Sequence, residues 1–259
     1  MSALVEERHV LDVSNTKEIP FTRLVRVELR KMADTRAGMW LLIAIGVITA
    51  AAVVVFSLAA DQSDRTFMNF VGVTATPQGF LLPVLGILLV TSEWSQRASL
   101  VTFTLTPVRA RVLVAKTAAA LLLGFAAIAV AVAVAALATL LGGAADPWQG
   151  VGWDGLGKFS LLQTIGILQG LAFGLLILNS AAAIVVYFIV PAMFTILSSM
   201  WSKMAEIQPW LDLVSSSSPL IESGNVTGEQ WQQYASGFAI WVLLPFVLGF
   251  LRVLRSEVK

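Results

Sequence analysis

The sequence predicts an all-α membrane protein with six transmembrane helices. Of its 259 residues, 57% are apolar and only 13% are charged, and the mean hydropathy is +0.82. Six continuous apolar runs approach or exceed the roughly 20 residues that a helix needs to cross a hydrocarbon layer of about 30 Å. Their residues do not alternate as in the strands of a membrane β-barrel. Helices are expected because a helix satisfies its own backbone hydrogen bonds where water is absent.

The fourth and fifth predicted spans have the weakest boundary, since Asn179 and Ser180 are the only polar break between them. We interpret this break as a tight turn. The alternative of one long span would give five crossings and would place the C-terminal basic residues on the other side. The predicted spans are 37–60, 70–91, 112–141, 159–178, 181–201 and 235–251.

Basic residues are distributed unevenly among the connections. With an even number of spans, 14 of the 17 Lys and Arg residues fall on one side, in the N-terminal segment, the connection after the second span and the C-terminal tail. The positive-inside rule makes that side cytoplasmic. We therefore expect a multi-pass protein of the bacterial inner (plasma) membrane with both termini in the cytoplasm. The domains would be a cytoplasmic tail and interfacial helix (1–36) and a six-span transmembrane domain (37–259).

The segment before the first span has the pattern of an interfacial helix. Apolar residues recur at helical spacing over 21–32, and basic residues occupy another face. Such a helix would bury its apolar stripe at the acyl boundary and set its basic side chains against anionic headgroups. A helix that only anchors the first span fits the pattern equally well. The candidate residues are Phe21 and Leu24 on the apolar stripe and Arg23, Arg26, Arg30 and Lys31 on the basic face.

The connection after the second span, 92–116, is the most informative segment. A helical apolar stripe runs from Trp94 to Leu105, and Pro107 should end or bend the helix before Arg109. A short helix there could dock into a cleft on a partner. It could also be a loop helix whose basic side chains only reach the lipid headgroups.

The long segment before the last span, 202–234, is expected on the external side. It mixes apolar residues with two prolines and four consecutive serines, and Thr227 with Gln230 could form a capping box that starts the last helix. A substrate gate and a passive external cap are both compatible with this composition.

Polar side chains within the spans are candidates for a translocation path. An interhelical packing hydrogen bond is the commoner role for any one of them. These candidates are Gln78, Gln163, Gln169 and Thr195. Distortion of the helices is expected at the prolines within the second, fifth and sixth spans, Pro77, Pro83, Pro191 and Pro245.

Several kinds of chemistry are missing from the sequence. It contains no cysteine, its single histidine, His9, lies in the polar N-terminal segment, and no charged residue lies in the central part of a predicted span. Lys116, near a span boundary, is expected to reach the interface. Ion-coupled carriers and intramembrane hydrolases usually need buried ionisable groups. The chain also lacks a GxxxxGK[ST] loop, an HExxH motif and a metal-ligand cluster. We predict that it is not an enzyme and binds neither metal nor nucleic acid.

These features together resemble the permease subunits of type-2 ATP-binding-cassette exporters, a group that includes drug, antibiotic and polysaccharide efflux permeases. The resemblance covers nearly the whole chain after about Phe21. It rests on the interfacial helix, the six spans and the long connections after the second and before the sixth span. Its most specific part is the family's pattern of a glutamate, a small polar turn, Leu-x-Pro-x-Arg and a lysine, matched by Glu93, Arg97, Ser99, Leu105, Pro107, Arg109 and Lys116.

The resemblance implies that segment 92–111 forms a coupling helix that inserts into a separate cytoplasmic ABC ATPase subunit. That partner would bind ATP and Mg²⁺, and this chain would bind no cofactor directly. A second permease copy or a paralogue would complete a dimer in the lipid bilayer. The expected function is efflux of a hydrophobic or amphipathic drug, antibiotic or lipid-like molecule; the alternative is a non-transporting membrane scaffold or sensor subunit of the same fold. The implied coupling residues are Glu93, Trp94, Arg97, Ser99, Leu105, Pro107 and Arg109.

Overall fold

Six long apolar helices form the body of the protein in a computed structural model, which describes residues 19–95, 108–200, 202–222 and 224–255. Within these ranges the chain is helical and contains no strand. Each of the six helices is long and apolar enough to cross a membrane, which confirms the predicted all-α class and the number of candidate spans. The helices are α1 (Phe21–Asp34), α2 (Arg36–Ala59), α3 (Phe67–Ser95), α4 (Arg109–Gly142), α5 (Trp153–Ile177), α6 (Ser180–Ser199), α7 (Ser202–Leu211), α8 (Leu213–Ile221), α9 (Gly228–Phe238) and α10 (Leu244–Arg255).

The sixth candidate span is composite. A π-helical turn, Ala239–Leu243, joins α9 to α10, so that one apolar helix runs from Gly228 to Arg255. Pro245 lies two residues after this turn, and its missing amide donor is a local reason for the changed hydrogen-bond pattern. By contrast, helix continues through Pro77 and Pro83 in α3 and through Pro191 in α6.

The predicted tight turn between the fourth and fifth spans is confirmed. Leu178 adopts a left-handed conformation with φ of 58°, and its N–H donates to the carbonyl of Gly174 at 2.9 Å. The Asn179 side chain then accepts a hydrogen bond from the Ala182 N–H at 3.0 Å and caps α6. The polar pair at 179–180 therefore ends one helix and begins the next.

The long helices alternate in direction. At the end of the bundle where α1 lies, Thr91 of α3 contacts Ser180 at the start of α6, with 2.7 Å between their hydroxyl oxygens. At the opposite end, the Phe67 N–H at the start of α3 donates to the carbonyl of Pro147 at 2.8 Å. Residues 19 and 255, the first and last that the structure describes, consequently lie at the α1 end.

Helices α3 and α5 form the centre of the bundle and approach each other closely. A Cβ atom placed on Gly170 would lie 2.0 Å from the carbonyl oxygen of Pro83, and one on Gly86 would lie 2.4 Å from that of Ile167. Glycine at both positions is therefore required for this contact. Helices α2 and α6 are peripheral and leave large apolar side chains such as Val55 exposed, as expected for helices that face lipid.

The segment before the last span folds into α7, α8 and the start of α9. The predicted capping box is confirmed: the Thr227 N–H donates to Gln230 Oε1 at 2.8 Å, and the Gln230 N–H donates to Thr227 Oγ1 at 3.3 Å. Trp241 Nε1 donates to the carbonyl of Leu211 at 2.7 Å and ties this segment to the last span.

Candidate functional site

Four charged residues from three helices form a compact group at the α1 end of the bundle. We call Glu28 and Lys31 of α1, Glu93 of α3 and Lys116 of α4 the charge cluster. Lys116 Nζ lies 2.6 Å from Glu28 Oε2 and 3.2 Å from Glu93 Oε1. Lys31 Nζ lies 2.8 Å from Glu28 Oε1 and also contacts Glu93 Oε1. The two ammonium groups each bridge both carboxylates.

Helical periodicity explains why these charges meet. On α1, Glu28 and Met32 are four residues apart and form the buried face of the helix. On α4, Lys116 follows Val112 and Leu113 and precedes Ala119 along the same buried face. Glu28 and Lys116 therefore occupy positions on buried helix faces where apolar core side chains are usual.

Because the charge cluster is mostly buried, its stability depends on the pairing of opposite charges. Side-chain exposure is only 3% for Lys116, 5% for Glu28 and 6% for Glu93, whereas Lys31 is 34% exposed and forms the outer corner. Removing these charges from water is unfavourable, and close opposite charges offset that loss. Burial lowers the pKa of the Lys31 amine, but the Glu28 and Glu93 carboxylates outweigh this effect and raise the pKa above its usual value.

Both ends of the connection between α3 and α4 are attached to other parts of the fold. Before the connection, Glu93 joins α3 to the charge cluster. After it, Arg109 donates from Nη1 to the carbonyls of Val253 at 3.2 Å and Leu254 at 3.4 Å, near the end of α10. Arg111 Nη2 donates to the carbonyl of Ile19 at 2.8 Å. The connection thus starts and ends at positions linked to α1, α4 and α10.

The structure describes only three of the seven predicted coupling residues. Glu93 lies in the charge cluster, Trp94 packs half-buried against the apolar core, and Arg109 contacts the end of α10. Their role in coupling stays a prediction. Four other predicted coupling residues, Arg97, Ser99, Leu105 and Pro107, lie outside the described residues.

The predicted interfacial segment is an amphipathic helix, α1, whose position relative to a bilayer stays a prediction. Val25 and Leu29 of its apolar stripe pack against the bundle core, and Phe21 at its start is 41% exposed. On the basic face, Lys31 turns towards two carboxylates, and Arg30 forms an exposed ion pair with Asp34 at 3.5 Å. The remaining predicted residues are the half-buried Leu24 and the exposed Arg23 and Arg26.

Two of the polar candidates for a translocation path are brought together. Gln163 Nε2 donates to Gln78 Oε1 at 3.3 Å, and Gln78 Nε2 donates to the carbonyl of Ala127 at 2.8 Å, which links α3, α4 and α5. Gln169 lies buried further along α5, whereas Thr195 of α6 donates to the side chain of Asp212 at 3.2 Å. A role in transport stays a prediction for all four.

Sequence reasoning missed the charge cluster. Lys116 was expected to reach the interface, but its side chain is buried and its amine is bound by carboxylates. Glu28 was not singled out, although it lies four residues before Met32 on the apolar stripe of α1. A lone carboxylate on such a stripe signals a buried cationic partner.

No protein-family model matches the chain, and no curated protein matches it. In the part of the chain that the structure describes, no group of three or more His, Asp and Glu side chains could hold a metal ion. The arrangement at the α1 end is a network of ion pairs between three helices.

Proposed function

We propose that the protein is the permease subunit of an ATP-driven ABC exporter, working with a second permease subunit and a separate cytoplasmic ATPase. One observation carries this proposal. Glu93, three residues before the undescribed stretch 96–107, is ion-paired to Lys31 of α1 and to Lys116 of α4. The base of the proposed coupling segment is therefore fixed to two other helices.

Through this attachment, a movement of the ATPase subunit could be transmitted to the membrane helices. A force on the connection acts on α3 through Glu93 and on α4 through Lys116, and α1 is held by both. ATP binding shifts the assembly only if ATP binds one arrangement of subunits better than another. The charge cluster then makes α1, α3 and α4 move together when the ATPase subunits close.

The remaining support comes from the sequence and the helix arrangement. Six candidate spans and an amphipathic helix before the first one agree with the resemblance to type-2 permeases. ATP and Mg²⁺ would be bound by the partner, and the substrate would be a hydrophobic or amphipathic molecule such as a drug, an antibiotic or a lipid. The chain itself would provide the path and the conformational change.

Purification of the tagged protein from its native membranes in mild detergent tests the proposal. Mass spectrometry of the co-purifying proteins and an ATPase assay should reveal a nucleotide-binding subunit with activity. A preparation of a Glu93→Gln variant, matched in amount, should retain the membrane protein and couple it less well to that subunit. Repeated absence of any ATPase, under conditions that preserve other membrane complexes, would favour the scaffold or sensor function instead.

A further inference from the structure

A large cavity opens at the end of the bundle opposite α1. It lies among the first turns of α3, the first turns of α5 and the end of α8, and its volume is about 1020 Å³. Pockets for small organic ligands typically have volumes of about 300–1,000 Å³. The cavity is therefore large enough for a drug-sized molecule.

The wall of this cavity combines polar side chains such as Thr66, Asn69 and Gln149 with buried apolar ones. Val71 of α3, Phe159 of α5 and Leu220 of α8 line it and are at most 7% exposed. Met68 and Leu162 add further apolar surface. An apolar molecular body would consequently be removed from water against side chains held by three different helices.

Charged groups at the cavity leave a negative balance. Lys158 is buried, and its amine donates to Asp154 Oδ2 at 2.9 Å and to the carbonyl of Gly224 at 2.8 Å, so its charge is already paired. Asp64 and Glu222 also line the cavity; both are exposed, and neither forms an ion pair with another residue that the structure describes.

The nearest cation in sequence, Arg65, forms no ion pair with Asp64. Arg65 donates from Nε at 3.2 Å and from Nη2 at 3.0 Å to the carbonyl of Ala60 and is not part of the cavity lining. Two carboxylates beside buried apolar side chains select against anions and favour a cation with apolar groups.

We propose that this cavity binds an amphipathic organic cation, with its apolar groups against Phe159 and Leu220 and its positive charge towards Asp64 and Glu222. The proposal that this cavity is a binding site depends only on the geometry and charge of the cavity. As a statement about the exported substrate it rests on the proposed function, and the positive-inside prediction would make it a site near the exit of the path.

Two probes of similar size and opposite charge test the charge preference. Tetraphenylphosphonium and tetraphenylborate should be compared by equilibrium dialysis against the purified full chain in a neutral detergent, with empty micelles as the blank. We expect saturable binding of the cation and not of the anion. In the Asp64→Asn/Glu222→Gln double variant, the cation affinity should fall about tenfold, since two attractive charges near the ligand are lost. Asp34→Asn, at the other end of the bundle, should leave it unchanged.

A pair of glycine substitutions tests the location. A Cβ atom on Gly72, which lines the cavity, or on Gly79, which does not, meets no other atom within 4 Å. Both residues lie in α3, so leucine at either position has the same helix propensity. Gly72→Leu should fill part of the cavity and weaken cation binding about tenfold or more, whereas Gly79→Leu should bind like the wild type.

Equal binding of both probes, or cation binding that neither Gly72→Leu nor the double carboxylate variant weakens, would overturn the proposal. Because the assay contains no ATPase, its result is separate from the exporter assignment. Cation binding without a co-purifying ATPase retains the site and removes the export function. A co-purifying ATPase without cation binding would retain the exporter assignment and remove the binding site.

Discussion

Lys116 Nζ of α4 lies 2.6 Å from Glu28 Oε2 of α1, which places a buried ion pair between residues 88 positions apart in the chain. Neither side chain is more than 5% exposed. Ion pairs on a protein surface contribute little, but a buried pair becomes strongly unfavourable when only one partner is removed. This pair therefore adds to the apolar contacts of Val25, Leu29 and Met32 in holding α1 on the bundle.

Lys116→Met should destabilise the protein by about 3–5 kcal/mol, because the two buried carboxylates, Glu28 and Glu93, would then share the single ammonium group of Lys31. The measurement is the thermal unfolding midpoint of the purified protein in detergent. Arg30→Met is the control: it breaks an ion pair with Asp34 whose side chains are 80% and 68% exposed, and its effect should stay within about 0.5 kcal/mol. Equal midpoints for the two variants would contradict the assigned role of Lys116.

The pair itself is measured by a double-variant cycle. Glu28→Gln combined with Lys116→Met removes both charges, so the combined loss of stability should be smaller than the sum of the two single losses. A strictly additive result would mean that the two side chains do not interact in the folded protein.

The stabilising contribution of Lys31 should depend on pH in the alkaline range. Because its pKa is raised above 10.5 in the folded protein, the contribution is present below the unfolded pKa and is lost as pH rises through the folded pKa. The stability difference between wild type and Lys31→Met should thus be constant from neutral to moderately alkaline pH and shrink at pH values above 10.5.

Unfolding midpoints measured across this pH series check that expectation. Lys203→Met, an exposed lysine on α7, serves as the control and should show little difference from wild type at any pH. A Lys31→Met difference that grows with alkaline pH would be inconsistent with the two carboxylate contacts.

Glu93→Gln and Glu28→Gln separate coupling from stability, since each removes one carboxylate from the same charge cluster. Only Glu93 lies within the proposed coupling segment, 92–111. Under the proposed function, Glu93→Gln should lower the number of substrate molecules exported per ATP by about fivefold or more. A fivefold change corresponds to the lower end of the coupling free energies that are typical between two sites. Glu28→Gln should lower stability while leaving this ratio near that of the wild type. Efflux and ATPase rates in reconstituted vesicles give the ratio, and equal losses in both variants would remove the special role of Glu93.

Gly170→Ala should force α3 and α5 apart. The added methyl group would lie 2.0 Å from the Pro83 carbonyl oxygen, a backbone atom that cannot rotate away. Overpacking of this kind costs about 1–3 kcal/mol or more. Gly79→Ala meets no atom within 4 Å and should be neutral or stabilising by up to about 1 kcal/mol. Thermal midpoints of the two variants provide the comparison, and a Gly170→Ala protein as stable as wild type would refute this close approach.

The sequence was sufficient for features that depend on local pattern. Apolar runs identified all six candidate spans, Asn179 marked the turn between α5 and α6, and Thr227 with Gln230 marked the start of α9. Each of these signals is contained within one helix or at its end. Chemistry over a few residues is enough to produce them.

Features that depend on contacts between distant segments were not predictable in the same way. Periodicity places Glu28 on the buried face of α1, but nothing near it in sequence identifies Lys116 as its partner. The close approach of α3 and α5 and the cavity that α3, α5 and α8 line likewise depend on how whole helices pack. Lys116 lies near the start of a long apolar helix, where a side chain that extends to the headgroups is the usual arrangement, and a carboxylate contributed by another helix overrides it.

The spacing of the charge cluster along the chain has a consequence for synthesis on the ribosome. At about 5–20 residues per second, roughly 4–18 s separate the emergence of Glu28 from that of Lys116. During this interval Glu28 has a partner within its own helix, since Lys31 is three residues away and binds it at 2.8 Å in the finished protein. Lys31 can thus neutralise Glu28 within the nascent α1 before the third span is synthesised. Lys116 then adds the ion pair that links α1 to α4.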